Sequence, residues 1–231
     1  MNMFRTILLS AGSALMLLLP LGPAAAQGNG LLYDPAPPAD SAYVRMILAS
    51  SEGPVDVLVD GKLRQRKLAG GEAGDYMVLA AGKHTITLQS SGKVAAAPLE
   101  VVSGRALTVV FPALRADVKP WVFEDKANAN KLKAVLAVYQ LDPQAGLLDV
   151  LSADGATRVF SGLAAGASSS LQVNPITIDL IAAKAGDKAA LAKVSLAMAP
   201  GGTYSILLLR NQSGKLVARA GQNKVERYTG K

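Results

Sequence analysis

Residues Ser41–Leu48 read Ser-Ala-Tyr-Val-Arg-Met-Ile-Leu, and this stretch decides the fold. Tyr43, Arg45 and Ile47 alternate with Val44, Met46 and Leu48, the period-2 pattern of a strand rather than the 3.6 period of a helix. The β-branched and aromatic side chains suit a pleated surface. A second apolar run, Lys-Ala-Val-Leu-Ala-Val-Tyr at residues 133–139, follows roughly 95 residues later by the internal-repeat criterion. What comes after each run is similar in order.

Working outward from Ser41–Leu48, short apolar runs alternate with turn residues. Glu52-Gly53-Pro54 turns the chain into Val55–Val59, and Asp60-Gly61 is a hairpin signal because glycine accepts a positive φ. Lys62–Leu68, residues 76–80, 83–88 and 99–102, and Ala106–Phe111 complete about seven strands at sandwich spacing. Later in the chain, Asp154-Gly155 matches Asp60-Gly61, and Leu163-Ala164-Ala165-Gly166 matches Leu68-Ala69-Gly70-Gly71. Residues 175–180 match 83–88, and residues 202–208 match 104–110. This ordered series is that of a tandem duplication. Residues 187–198 fit either a helix or a strand. Residues 216–220 and 225–228 read as closing strands.

The predicted fold is all-β: two tandem antiparallel β-sandwich modules, residues 41–112 and 132–231, joined by a short linker at 113–131. The linker is marked by a shift in composition, with Pro120, the single tryptophan Trp121, and Phe123. Trp121 and Phe123 suit packing between modules, and Trp121 is also a candidate aromatic contact for a partner or sugar. Residues 1–26 have the layout of a cleavable signal peptide: Arg5, an apolar run at 7–19 too short for the roughly 20 residues of a membrane span, then Ala24-Ala25-Ala26. A Gly/Pro-rich lead-in, residues 27–40, follows. The expectation is an exported protein with its mature part in the periplasm and without a membrane span.

Composition narrows the chemistry. The chain has no cysteine, which removes disulfides, thiolate metal sites and cysteine nucleophiles. A formal charge of +7 favours acidic partners, and export makes nucleic acid an unsuitable one. His84 is the only histidine, so a multi-histidine metal site cannot be assembled. A Gly-x-Ser-x-Gly elbow, a phosphate-binding loop and a dinucleotide fingerprint are all missing. No catalytic residue, cofactor or metal is assigned. Lys62, Arg64 and Arg66 alternate in one strand, and on one face they would stand about 7 Å apart, a row able to meet carboxylates. The same charges would also deter edge-to-edge aggregation.

Several of these residues carry a family resemblance. Leu32-Tyr33-Asp34-Pro35 with Ala36-Pro37, Ser41-Ala42-Tyr43-Val44-Arg45, and Asn130-Lys131 with residues 133–139 resemble the AlgF family of alginate O-acetylation accessory proteins. The resemblance implies a non-enzymatic periplasmic adaptor that works with acetyltransferase and membrane O-acyltransferase subunits on an exported polysaccharide, alginate or a related polymer. The rival expectations are a stand-alone acidic-polysaccharide-binding module and a generic envelope structural protein. Lys62, Arg64, Arg66 and Trp121 are the candidate contacts with polysaccharide or partner.

Overall fold

The structure, a computed structural model, describes residues 38–228. The expected signal peptide and most of the lead-in lie outside these residues. Among the described residues there are sixteen strands and no helix.

The first half contains β1 (Ser41–Leu48), β2 (Val55–Val59), β3 (Lys62–Leu68), β4 (Met77–Ala80), β5 (Gly82–Ser90), β6 (Lys93–Val101), β7 (Ala106–Phe111) and β8 (Trp121–Glu124). The second contains β9 (Ala134–Gln140), β10 (Leu148–Ser152), β11 (Arg158–Leu163), β12 (Ala167–Val173), β13 (Thr177–Lys184), β14 (Ala192–Ala197), β15 (Thr203–Arg210) and β16 (Leu216–Gln222). The first half forms sheets β4-β1-β7-β8 and β3-β2-β5-β6; the second forms β12-β9-β15-β16 and β11-β10-β13-β14. Adding eight to each strand number converts one half into the other, so the duplication holds strand for strand.

Backbone registers fix the residue equivalences. Tyr43 opposes Ala106 as Val135 opposes Thr203. Asp60 N donates to Thr85 O as Ala153 N donates to Asp179 O, both at 2.9 Å. Even an irregularity is shared. Asp56 Oδ1 accepts from Lys67 N at 2.9 Å and Asp149 Oδ1 from Gly162 N at 2.8 Å. Each aspartate holds a bulged neighbouring strand at a residue with positive φ, +53° at Lys67 and +62° at Gly162.

Three expectations are corrected. The sandwiches are not wholly antiparallel: β1 pairs β7, and β9 pairs β15, in parallel. Successive strands reverse direction, so two odd-numbered strands that become neighbours must run the same way. Next, residues 113–131 are not simply a linker. Trp121–Glu124 pairs antiparallel with β7 and forms the edge of its sheet, because Trp121 and Phe123 alternate with Val122 and Glu124 to give one buried and one exposed side. Finally, residues 225–228 form no closing strand; Val225 makes a single parallel bridge to Tyr76. The segment that fitted helix or strand turns and then enters β14.

Three large cores follow from side-chain alternation, beside a small cluster of Leu151, Ile181 and Ala183. Val44, Met46 and Leu48 of β1 meet Val57, Ile86 and Leu88 inside the first sandwich. Leu136 and Val138 of β9 meet Val150, Leu180 and Ile206 inside the second. The third lies between the sandwiches, where Ile47, Val110 and Phe123 meet Tyr139, Leu207 and Leu209. The sheets of β1 and β9 are therefore covered on both faces, which is why their strands read as nearly unbroken apolar runs. Burying each such aliphatic side chain stabilises the fold by about 1.5–3 kcal/mol.

Candidate functional site

The basic strand β3 lies on the outer sheet of the first sandwich. Two register shifts against β2 break its alternation, so the row expected from Lys62, Arg64 and Arg66 does not form. Lys62 and Arg64 border a groove of about 630 Å³ that also includes Asp60, His84, Glu226 and Arg227; Arg66 does not line it. Arg64 donates to the Glu226 carboxylate and to Val78 O, the latter at 3.4 Å.

His84 stands at this groove with both ring nitrogens engaged. Nδ1 lies 2.7 Å from Asp60 Oδ2 and Nε2 lies 2.9 Å from Ala80 O. Burial lowers its pKa, but the bonds to Asp60 and Ala80 outweigh this and raise it overall. The two acceptors are best met by an imidazolium that donates from both nitrogens. Such a ring has no lone pair with which to take a proton from a hydroxyl nucleophile.

The densest polar chemistry lies inside the seam between the sandwiches. Arg45, on the outward face of β1, is 1 % exposed. Its Nε donates to Thr108 Oγ1 at 2.8 Å, Nη1 to Asn223 Oδ1 at 2.7 Å, and Nη2 to Ser205 Oγ at 2.9 Å and Tyr139 OH at 3.0 Å. The guanidinium carbon also lies 4.6 Å from the centre of the Tyr76 ring, over its face. Asp125, just beyond β8, collects the other ends of this network. Thr108 Oγ1 donates to its Oδ2 at 2.5 Å, Tyr76 OH to the same oxygen at 2.7 Å, and Tyr139 OH to Oδ1. The buried cation and the half-buried anion are thus joined through two shared hydroxyls. Burial, together with the Asp125 charge, raises the pKa of Tyr76 and pushes that of Tyr139 up to about 12, although Arg45 opposes both shifts. Both phenols therefore stay protonated as donors.

Matching positions of the two halves meet across this seam. Val110 opposes Trp121 as Leu207 opposes Arg219, so Trp121 and Arg219 are equivalent residues. Trp121 covers Gly166 of the second half; a Cβ there would come within 3.1 Å of the indole, and φ is +73°. Leu209 and Arg219 together cover Gly71, the equivalent glycine of the first half. Trp121 thus packs in the seam, as its reading as an intermodule residue implies. Sequence reasoning did not single out Arg45, Asp125 or Tyr139. The one available signal was an arginine within an otherwise apolar strand.

A family profile described as "Alginate O-acetyl transferase AlgF" matches residues 14–204. The chain belongs to the AlgF family. An AlgF family member from Pseudomonas syringae pv. tomato, named alginate biosynthesis protein AlgF, is 31% identical over 187 residues, covering 81% of this chain and 77% of its own length. Those of Pseudomonas putida and Pseudomonas fluorescens bear the same name. They are 29% identical over 163 residues and 27% identical over 184 residues, covering 71% and 80% of this chain and 70% and 77% of their own lengths. The solved C-terminal domain of AlgF from P. aeruginosa aligns over 40% of this chain and all of its own, at 23% identity and a TM-score of 0.33. The AlgF family works in alginate biosynthesis and its O-acetylation.

Proposed function

We propose that this protein is a non-catalytic periplasmic adaptor of alginate O-acetylation, which binds acetyltransferase subunits and holds them near the exported polymer. Tethering of this kind raises the effective concentration of one component for another without new chemistry. The observation that carries the reading is where the polar groups are used. The one imidazole has both nitrogens engaged, and the largest hydrogen-bond network joins two sandwiches into one body. Among the described residues no helix is long and apolar enough to cross a membrane.

The test is co-purification of the tagged full chain with the acetylation subunits from a periplasmic extract, paired with alginate acetylation in a deletion strain. Capture of an acetyltransferase subunit and loss of polymer acetylation on deletion are expected. Unchanged acetylation with nothing captured rejects the reading, as does acetyl transfer by the purified protein alone.

The groove of Lys62 and Arg64 favours a second reading, direct binding of an acidic polysaccharide. It predicts salt-sensitive association with alginate that weakens in Lys62→Ala and Arg64→Ala. Equal retention of both variants and the parent protein on immobilised alginate at low salt opposes it.

A further inference from the structure

The duplication supplies an internal control for sheet edges. In the first sandwich the free edge of β4 is covered by the chain itself. Leaving β16, the tail runs alongside: Tyr76 N donates to Lys224 O and Glu226 N to Tyr76 O, both at 2.8 Å. The Glu226 carboxylate then accepts from Val78 N at 3.1 Å. An extended backbone segment therefore fits this edge.

The equivalent edge in the second sandwich is β12, Ala-Ser-Ser-Ser-Leu-Gln-Val. It pairs with β9 over seven residues without a register shift. Among the described residues, no second strand pairs with it on the side away from β9; beyond the β9 ladder its one backbone bond is the turn contact from Ala167 N to Ala164 O at 3.0 Å. The segment leaving β8 is the counterpart of the tail leaving β16, yet it does not close the edge. Asn128 instead donates to Lys133 O at 2.9 Å and Gly202 O at 3.2 Å, tying the segment to the start of β9. A cleft of about 260 Å³ is left between Ser168, Ser169 and Ser170 on one side and Asp125 and Lys126 on the other. Edge strands ordinarily carry lysine, proline or a bulge that discourages further pairing. β12 has none of these, whereas β3 has charges and bulges and β6 has Pro98.

We infer that β12 is the docking edge for an extended segment of a partner protein, which adds to the sheet as the tail adds to β4. This deepens the adaptor reading and rests on it: main-chain pairing supplies affinity, and the cleft beside Tyr139 and Lys126 receives side chains. The small serines leave the backbone of β12 accessible, and its unshifted register presents donors and acceptors at alternate residues along the free side.

The test is hydrogen–deuterium exchange of the full chain, alone and with each purified subunit of the same organism's alginate acetylation machinery, alongside binding by Ser169→Lys. With the correct subunit, the outward amides of residues 167–173, those not bonded to β9, should slow by about tenfold or more while those of β4, already covered, change little. Ser169→Lys should keep the parent melting temperature and weaken binding by about tenfold. A subunit that binds both chains equally and leaves β12 unprotected overturns the edge proposal but not the adaptor reading. Binding of no subunit by the parent chain removes the adaptor reading and the edge with it. Slow exchange, in the free protein, of those β12 amides that are not bonded to β9 also overturns the proposal, because another part of the chain or a second copy then covers the edge.

Discussion

β1 and β9 are the same strand used twice, and they differ most where they meet. The position of Arg45 in β1 is held by Ala137 in β9, while Thr108 corresponds to Ser205 and Asp125 to Asn223. Small hydroxyl and carbonyl partners are thus kept in both halves, but the cation and the anion appear once each. A second arginine at position 137 would bring a like charge into a buried joint with a single carboxylate, a costly arrangement. Duplication supplied two matching faces, and the unpaired substitutions made them complementary. A buried polar network of this kind disfavours a slipped or rotated joint, because any displacement strands its donors.

The largest expected effect removes that asymmetry. Arg45→Met should destabilise the full chain by about 2–4 kcal/mol in chemical denaturation, because Asn223 and three hydroxyls lose their guanidinium donor and the half-buried Asp125 loses its nearby cation. Adding Asp125→Asn should restore part of the loss. A cost below about 1 kcal/mol would mean that the seam is wet, and the contrast between β1 and β9 would lose its meaning.

A smaller change sharpens the same comparison elsewhere. Lys67 occupies at φ +53° the bulge position that Gly162 fills in the other half. Lys67→Gly should therefore be neutral to stabilising, by up to about 1 kcal/mol, since a left-handed conformation penalises a side chain. A loss of more than about 1 kcal/mol would show that the lysine side chain, and not its backbone, is what that bulge needs.

The smallest effect concerns His84, whose matching region in the second half has no histidine. Its folded pKa is raised, so its contribution is complete below the unfolded value of about 6.5 and fades as pH rises through the folded value. The melting-temperature gap between the parent chain and His84→Gln should be widest near pH 5.5 and narrow toward pH 8.5. A gap that widens with pH contradicts the imidazolium assignment. The half-exposed Asp60 keeps the effect modest.

The fold was largely legible because alternation, turn glycines and repetition are local signals. Leu163–Gly166 does match Leu68–Gly71: Gly166 N bonds Gln140 O as Gly71 N bonds Leu48 O. Other matches slipped. Aligning residues 202–208 with 104–110 is one residue out of register, and such a slip exchanges inward and outward faces. It conceals the correspondence of Thr108 and Ser205, two of the arginine's partners. Strand β8 was hidden by its short length and polar flanks. The seam was not legible because its members come from strands up to 178 residues apart, as Arg45 and Asn223 are. An outward-pointing arginine in a strand signals solvent unless the second sheet that covers it is known.

The central claim is that two copies of one sandwich have become a single body through this seam. Scanning calorimetry of the full chain tests it most directly. The account predicts one unfolding transition with equal calorimetric and van't Hoff enthalpies, which Arg45→Met lowers as a whole or splits. Two separate transitions in the parent chain, neither moved by that substitution except through the first half alone, would contradict it.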